Sequence, residues 1–321
     1  MNNNFCTLFD KNYLTRGLAL YASLARHCPK FHLWILCMDD TTFEVLSKVN
    51  LTNVTLIEIH KFEDSKLRAV KPTRSVAEYC WTCTSSLPLY IFAHYPKVDL
   101  ISYLDADLYF YSSPEPIFSE LGKDSMMIIP HRFIPQKKDV AKAVGIYNVS
   151  MVAFRRDKNG LNCLEWWRKM CLDWCYNLYE KTRMGDQKYL DQFPKLFKKV
   201  HILNHIGAGV GTWNIGQYRV WDKDGQVYIT DVPLIFYHFA DLEIYNQIPF
   251  LLPSPLENYG EIGVNRILIH EPYFKEIYRQ TSYVRKHFPD FSFGLTPRKK
   301  MSHFIKDEIA ANLVYLKRKL F

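Results

Sequence analysis

The sequence predicts an α/β protein with a mostly parallel central sheet flanked by helices, followed by a helical C-terminal extension. Three observations predict it. Short apolar runs alternate with helical patterns through the first half of the chain, the order produced by a parallel sheet with crossover helices. One apolar run stops abruptly at Asp105-Ala106-Asp107, and ligands of open α/β sheets gather at such strand ends. Of the 321 residues, 48% are hydrophobic and 23% charged; this supplies a sizeable core and excludes disordered or low-complexity chains.

The elements follow in order. A strand is expected at 5–9 and an amphipathic helix at 14–27. Residues 31–37 hold the run Leu33-Trp34-Ile35-Leu36-Cys37, which reads as a buried strand. Helix 41–49, strand 54–59 and a helix-like stretch at 75–93 come next. The apolar strand 98–104 ends in Asp105-Ala106-Asp107, after which Leu108-Tyr109-Phe110-Tyr111 resumes. Strands are expected at 126–130 and 147–154, and an aromatic-rich helix at 161–179. Two late apolar runs, 200–203 and 233–237, are expected to close the sheet. Beyond Asp241 the pattern weakens through Pro249, Pro253 and Pro255. The expected division is a domain at 1–245 and an extension at 246–321.

Composition narrows the class of partner. No stretch of about 18 apolar residues is present, and Met1-Asn2-Asn3-Asn4 lacks the basic and apolar regions of a secretory leader. A cytoplasmic protein is expected. Its eight cysteines then read as reduced core thiols, Cys80-Trp81-Thr82-Cys83 included, since a structural zinc needs a second pair. The net charge of +8 is concentrated at the C-terminus rather than interleaved with aromatics, so nucleic acid is not an expected partner.

Three motifs carry chemistry. Asp105 and Asp107, one residue apart where a strand ends, offer hard oxygen ligands to a divalent cation, and such a cation neutralises a diphosphate. His238 terminates the run Phe236-Tyr237-His238-Phe239 and offers an imidazole; a mixed Asp, Asp, His set suits Mn²⁺. Gly185-Asp186-Gln187 opens a helical pattern. Each also has an ordinary reading: a turn residue, a core histidine, a helix cap.

Taken together and in this order, the motifs resemble glycosyltransferases of the GT-A fold, and most closely glycosyltransferase family 8, over roughly residues 5–245. Cys6-Thr7-Leu8-Phe9-Asp10-Lys11-Asn12-Tyr13-Leu14 is similar to the family's first strand and nucleotide loop. By that resemblance Thr7, Asp10, Asn12 and Tyr13 line the base and ribose, and Asp105 and Ala106 contact the donor. Asp105, Asp107 and His238 hold Mn²⁺ or Mg²⁺. Tyr147-Asn148-Val149-Ser150-Met151 takes the place of a segment beside donor and acceptor, which assigns Asn148 to the nucleotide sugar. Asp186 and Gln187 stand near the reacting anomeric carbon as catalytic residues. The implied activity is transfer of a sugar from a nucleotide sugar, a UDP-sugar, to a glycan or lipid-linked acceptor in surface-glycan synthesis, with retention of configuration. A degenerate nucleotide-sugar scaffold and an inverting enzyme with a carboxylate base are the alternatives. A nucleotidyltransferase fits poorly, because Phe9-Asp10-Lys11-Asn12-Tyr13 has no phosphate-loop glycine.

Departures from the family accompany the resemblance. After His238 the chain reads Phe239-Ala240-Asp241-Leu242-Glu243, without the family's diphosphate-binding lysine. Arg74 and Arg132 are substitute candidates for phosphate. Gly207-Ala208-Gly209-Val210-Gly211-Thr212-Trp213-Asn214 is expected to be a flexible loop over the sugar, with Trp213 stacking on a pyranose. In the tail, Met301, Phe304, Ile305, Ile309, Leu313, Leu316 and Leu320 form an apolar stripe flanked by Arg298, Lys299, Lys300, Lys317, Arg318 and Lys319. Such a basic amphipathic helix suits an anionic membrane surface, here the cytoplasmic face of an inner membrane; packing on the domain is the other reading.

Overall fold

The structure is a computed structural model that describes residues 3–240, 242–244 and 262–296. The amphipathic stripe at 298–321 therefore lies outside the described residues. Seven strands form the central sheet: β1 (Asn3–Phe9), β2 (Phe31–Cys37), β3 (Val54–Glu58), β4 (Leu100–Leu104), β6 (Met126–Pro130), β7 (Tyr147–Arg155) and β8 (Val200–Ile202). Their order is β3-β2-β1-β4-β7-β6-β8. β1 runs parallel to β2 and β4, β2 to β3, and β6 to β8, while β7 is antiparallel to both β4 and β6. The sheet is thus mostly parallel with one reversed strand.

Side chains alternate across each strand, which splits the core in two. From β1, Phe5 and Phe9 pack with Leu14, Leu18 and Leu24 of helix α1 (Leu14–His27). Cys6 and Leu8 point the other way, towards Tyr79, Leu87 and Trp167 of the helices Val76–Thr84, Ser86–His94 and Lys158–Asp173. The stretch expected as one helix at 75–93 is two, joined at Ser85. The helix expected at 161–179 stops at Asp173, where Trp174 takes extended backbone. All eight cysteines are free thiols, and all but Cys80 are buried.

The run expected at 233–237 does not close the central sheet. Its last residues form β13 (Phe236–His238), which pairs antiparallel with β5 (Leu108–Phe110) and parallel with β9 (Val210–Gly211) in a second, three-stranded sheet. A short meander of β10 (Val220–Lys223), β11 (Gln226–Ile229) and β12 (Val232–Pro233) follows β9. The chain leaves β4 at the two aspartates, so β5 cannot continue in the same plane and recruits a distant partner.

The helix Glu271–His287 packs on α1 and on this second sheet. Glu276, 5% exposed, accepts from Arg26 of α1 at 3.1 Å and from Arg279 at 2.7 Å. The Tyr273 ring stacks on Phe239 with centroids 3.8 Å apart, and the Tyr111 hydroxyl donates to the Ile269 carbonyl. Further on, Gly294 (φ +68°) meets the loop between β1 and α1 so closely that a Cβ would fall 1.8 Å from the Asn12 carbonyl oxygen. Among the described residues no helix is long and apolar enough to cross a membrane.

Candidate active site

The site is made where β4 ends. The Asp105 N–H donates to the Ser150 carbonyl of β7, and the Leu108 N–H donates back to the Asp105 carbonyl, which closes a tight turn at Asp105-Ala106-Asp107. Ala106 packs into the core, so its two neighbours point away from it. Pairing of β5 with β13 sets His238 opposite Leu108, and the Phe239 N–H donates to the Asp107 carbonyl at 3.0 Å. That register fixes the imidazole beside both carboxylates.

His238 Nε2 is 3.0 Å from Asp107 Oδ1 and 3.6 Å from Asp105 Oδ2. One ligand atom from each of the three lies within 4.8 Å of the others. The side chains of His238 and Asp107 are 8% and 10% exposed and that of Asp105 is 27% exposed, so Asp105 forms the open edge. Burial pushes the Asp105 carboxyl up to about 6, against the pull of His238 and with the repulsion of Asp107. Burial also pushes Asp107 upward, but His238 and then Arg16 hold it below the usual carboxylate range. Two hard carboxylates and an imidazole in a buried cluster, one of them resisting ionisation, fit a divalent cation of the Mn²⁺ or Mg²⁺ type.

The surrounding residues fall into two groups. Those gathered at the triad begin with Tyr103, whose hydroxyl donates to Asp105 Oδ1 at 3.0 Å. Trp213 stands edge-to-face on His238 with centroids 5.4 Å apart. Asn148 accepts from the Ser150 N–H at 2.6 Å and places its amide nitrogen 3.0 Å from His131 Nε2. Asp186 is buried, and burial followed by the Asp105 charge pushes its carboxyl up to about 8. It occupies the N-cap position of the short helix Gln187–Gln192, but its side chain makes no capping hydrogen bond there.

The second group is turned to other tasks. Gln187 donates to the Val144 carbonyl at 3.0 Å. Arg74 lies 3.8 Å over the Tyr176 ring and donates to the Leu172 carbonyl. Arg132, half-buried, donates to the carbonyls of Ala208, Leu203 and His205 and so braces that loop. Asp10 accepts from the Asn12 and Tyr13 N–H groups and the Asn12 amide, which closes the loop on itself. Tyr13 is 40% exposed, whereas the Thr7 hydroxyl is buried with no hydrogen-bond partner among the described residues.

Residues 207–214 are not a flexible loop. Val210 and Gly211 pair with β13, Asn214 bonds the Gly211 N–H and the carbonyls of His131 and Gly209, and the Trp213 indole donates to the His131 carbonyl. Gly211 is required because a Cβ would enter the Trp213 ring, 2.4 Å from its nearest atom. Three residues at the site were missed from sequence: His131, Arg16 and Tyr273. Only His131 carried a signal, a polar residue directly after the apolar run of β6.

No family model matches the chain. It is 31% identical over 307 residues to the uncharacterized protein YfnD of Bacillus subtilis strain 168, a match that spans 94% of this chain and 98% of YfnD. The chain belongs to the YfnD family. YfnF of the same organism is a further relative of this YfnD-family chain, 32% identical over 295 residues, covering 88% of the chain and 92% of YfnF. Among solved structures, the apo-form glycosyltransferase GlyE of Streptococcus pneumoniae TIGR4 is 16% identical with a TM-score of 0.52, and the match covers 90% of this chain and 64% of GlyE. At that identity the likeness is one of fold, and the fold of this YfnD-family chain is GT-A.

Proposed function

We propose that the chain is a metal-dependent glycosyltransferase that moves a sugar from a nucleoside-diphosphate sugar, a UDP-sugar, to a glycan or lipid-linked acceptor, with retention at the anomeric carbon. The observation that carries this reading is the Asp105, Asp107 and His238 cluster at the carboxyl end of β4. When bound there, Mn²⁺ or Mg²⁺ neutralises the charge that develops on the departing diphosphate. Asp105, at the open edge, faces the donor; Asp107 and His238 sit deeper. Tyr103 and the Ser150 carbonyl orient Asp105. Thr7, Asp10, Asn12 and Tyr13 border the base and ribose, and Asn148 and Trp213 border the sugar.

Retention is the outcome that the resemblance to glycosyltransferase family 8 implies, and an inverting mechanism would need a carboxylate base opposite the leaving group. With no cation bound, burial and then the Asp105 charge push the Asp186 carboxyl up to about 8. Asp186 stands beside the reacting centre as the candidate catalytic residue, and Gln187, with its amide nitrogen anchored on the Val144 carbonyl, follows it in the chain. Residues 298–321, with their basic apolar stripe, are proposed to hold the enzyme at an anionic membrane surface next to a lipid-linked acceptor; deletion of 298–321 should abolish sedimentation with phosphatidylglycerol vesicles, and unchanged sedimentation would refute the membrane role.

The test of function is thermal stability against nucleoside diphosphates and nucleotide sugars with and without Mn²⁺, beside Asp107→Ala. Selective binding to the folded state raises the melting point. A Mn²⁺-dependent rise with one nucleotide base, lost in Asp107→Ala, is expected. No response to any nucleotide or metal would overturn the proposal.

A further inference from the structure

Arg16 is a buried charge that forms no ion pair among the described residues. It lies on the first turn of α1 and is only 7% exposed. It donates to the Asn12 carbonyl at 3.1 Å and the Leu242 carbonyl at 2.7 Å, and it lies 4.6 Å from the centroid of the Tyr13 ring. Among the described residues it makes no ion pair. A buried cation left unpaired is costly, and two carbonyls take up two of its five N–H donors. By contrast Lys188, equally buried, has its ammonium filled by the carbonyls of Lys142, Ala143 and Glu180.

Its anchors say where the charge sits. Leu242 is one turn beyond Phe239, whose N–H is bonded to the Asp107 carbonyl, and the Leu242 N–H donates to the Phe239 carbonyl. Asn12 and Tyr13 belong to the loop between β1 and α1. Arg16 therefore lies between the nucleotide loop and the triad. The Tyr273 hydroxyl, fully buried and with no hydrogen-bond partner among the described residues, belongs to the ring stacked on Phe239 and adds an unused donor at the same place.

We propose that Arg16 makes metal and diphosphate binding depend on each other: its charge opposes a cation alone at Asp105, Asp107 and His238, and attracts the diphosphate that accompanies the cation. This rests on the proposed nucleotide-sugar site and deepens it. By linkage, the factor by which Mn²⁺ tightens diphosphate binding equals the factor by which diphosphate tightens Mn²⁺ binding. Arg16 raises both.

The experiment measures Mn²⁺ affinity from the free-ion electron paramagnetic resonance signal, with and without uridine diphosphate. It compares the wild-type chain, Arg16→Met, Arg16→Lys and Asp107→Ala. Arg16→Met should bind Mn²⁺ alone more tightly than wild type, bind uridine diphosphate in Mn²⁺ more weakly, and lose about five-fold or more of the mutual factor. Arg16→Lys, which keeps the charge and loses the forked anchoring, should retain most of that factor. Mn²⁺ affinity that is unchanged or weaker in Arg16→Met, or equal losses in both variants, would overturn the proposal and leave Arg16 as a loop tie. Wild-type protein that binds neither probe, and is indistinguishable from Asp107→Ala, would overturn the nucleotide-sugar site itself and this inference with it.

Discussion

Replacing Asp186 by Asn should reverse part of the protein's dependence of stability on pH. In the folded chain burial, with Asp105 behind it, pushes this carboxyl from 3.8 up to about 8. Between those values the native state keeps a proton that the unfolded chain releases, so its contribution is fully present below about pH 4 and is lost as pH rises through 8. Asp105, raised to about 6, contributes to the lower part of that window. From pH 6 to 8 Asp186 acts without it. Two pH units ending at the folded value, where the group is half ionised, at about 1.4 kcal/mol per full unit make about 2 kcal/mol, an upper figure for a group in a relaxing interior. Asp186→Asn has nothing to ionise. Guanidinium unfolding in EDTA at pH 6, 7 and 8 should show the variant gaining on the wild type by up to about 2 kcal/mol across the series. A difference that stays constant with pH would refute the reasoning, because a carboxyl already ionised at pH 6 cannot produce it.

Other outcomes follow from packing. Gly294→Ala should destabilise by about 3 kcal/mol, from left-handed backbone and the clash with Asn12, and should weaken uridine diphosphate binding by calorimetry, since the loop between β1 and α1, proposed to border the nucleotide, must shift. Lys188→Met removes the donor from the carbonyls of Lys142, Ala143 and Glu180, two of them on exposed residues that can rehydrate, and should cost about 2 kcal/mol; hydrogen exchange in the helix Lys138–Val144 should rise, because Lys188 holds its last turn. Glu276→Ala should cost only about 2 kcal/mol, because its partner Arg26 is 47% exposed and can rehydrate. Mn²⁺ affinity should be unaltered, which a calorimetric titration would check.

The chemistry was easier to read than the pairing. Asp105 and Asp107 stood out because two charges ended an apolar strand, and His238 because it ended another. That the three meet depends on a pairing between three residues at 108–110 and three at 236–238, and no periodicity along a chain encodes a partner over a hundred residues away. The same blindness placed 233–237 in the wrong sheet and left 207–214 as a loop, since two-residue β9 has no pattern to detect. Arg16 was invisible for a different reason: one arginine on an amphipathic helix looks like solvent-facing charge until the C-terminal helix and Leu242 cover it.

The reversal of β7 has an evolutionary consequence. Were β6 and β7 parallel, a crossover would have to return along the whole sheet, and altering it would disturb the core. Because they are antiparallel, residues 131–146 leave and re-enter at the same end, the end that carries Asp105. Insertions or deletions in the mostly exposed middle of this segment, 135–140, add little loop-closure entropy, whereas His131 and residues 142–144 are tied to Trp213, Asn214, Gln187 and Lys188. A lineage can rewrite that middle to admit a new acceptor while Asp105, Asp107 and His238, held by other strands, inherit their positions unchanged.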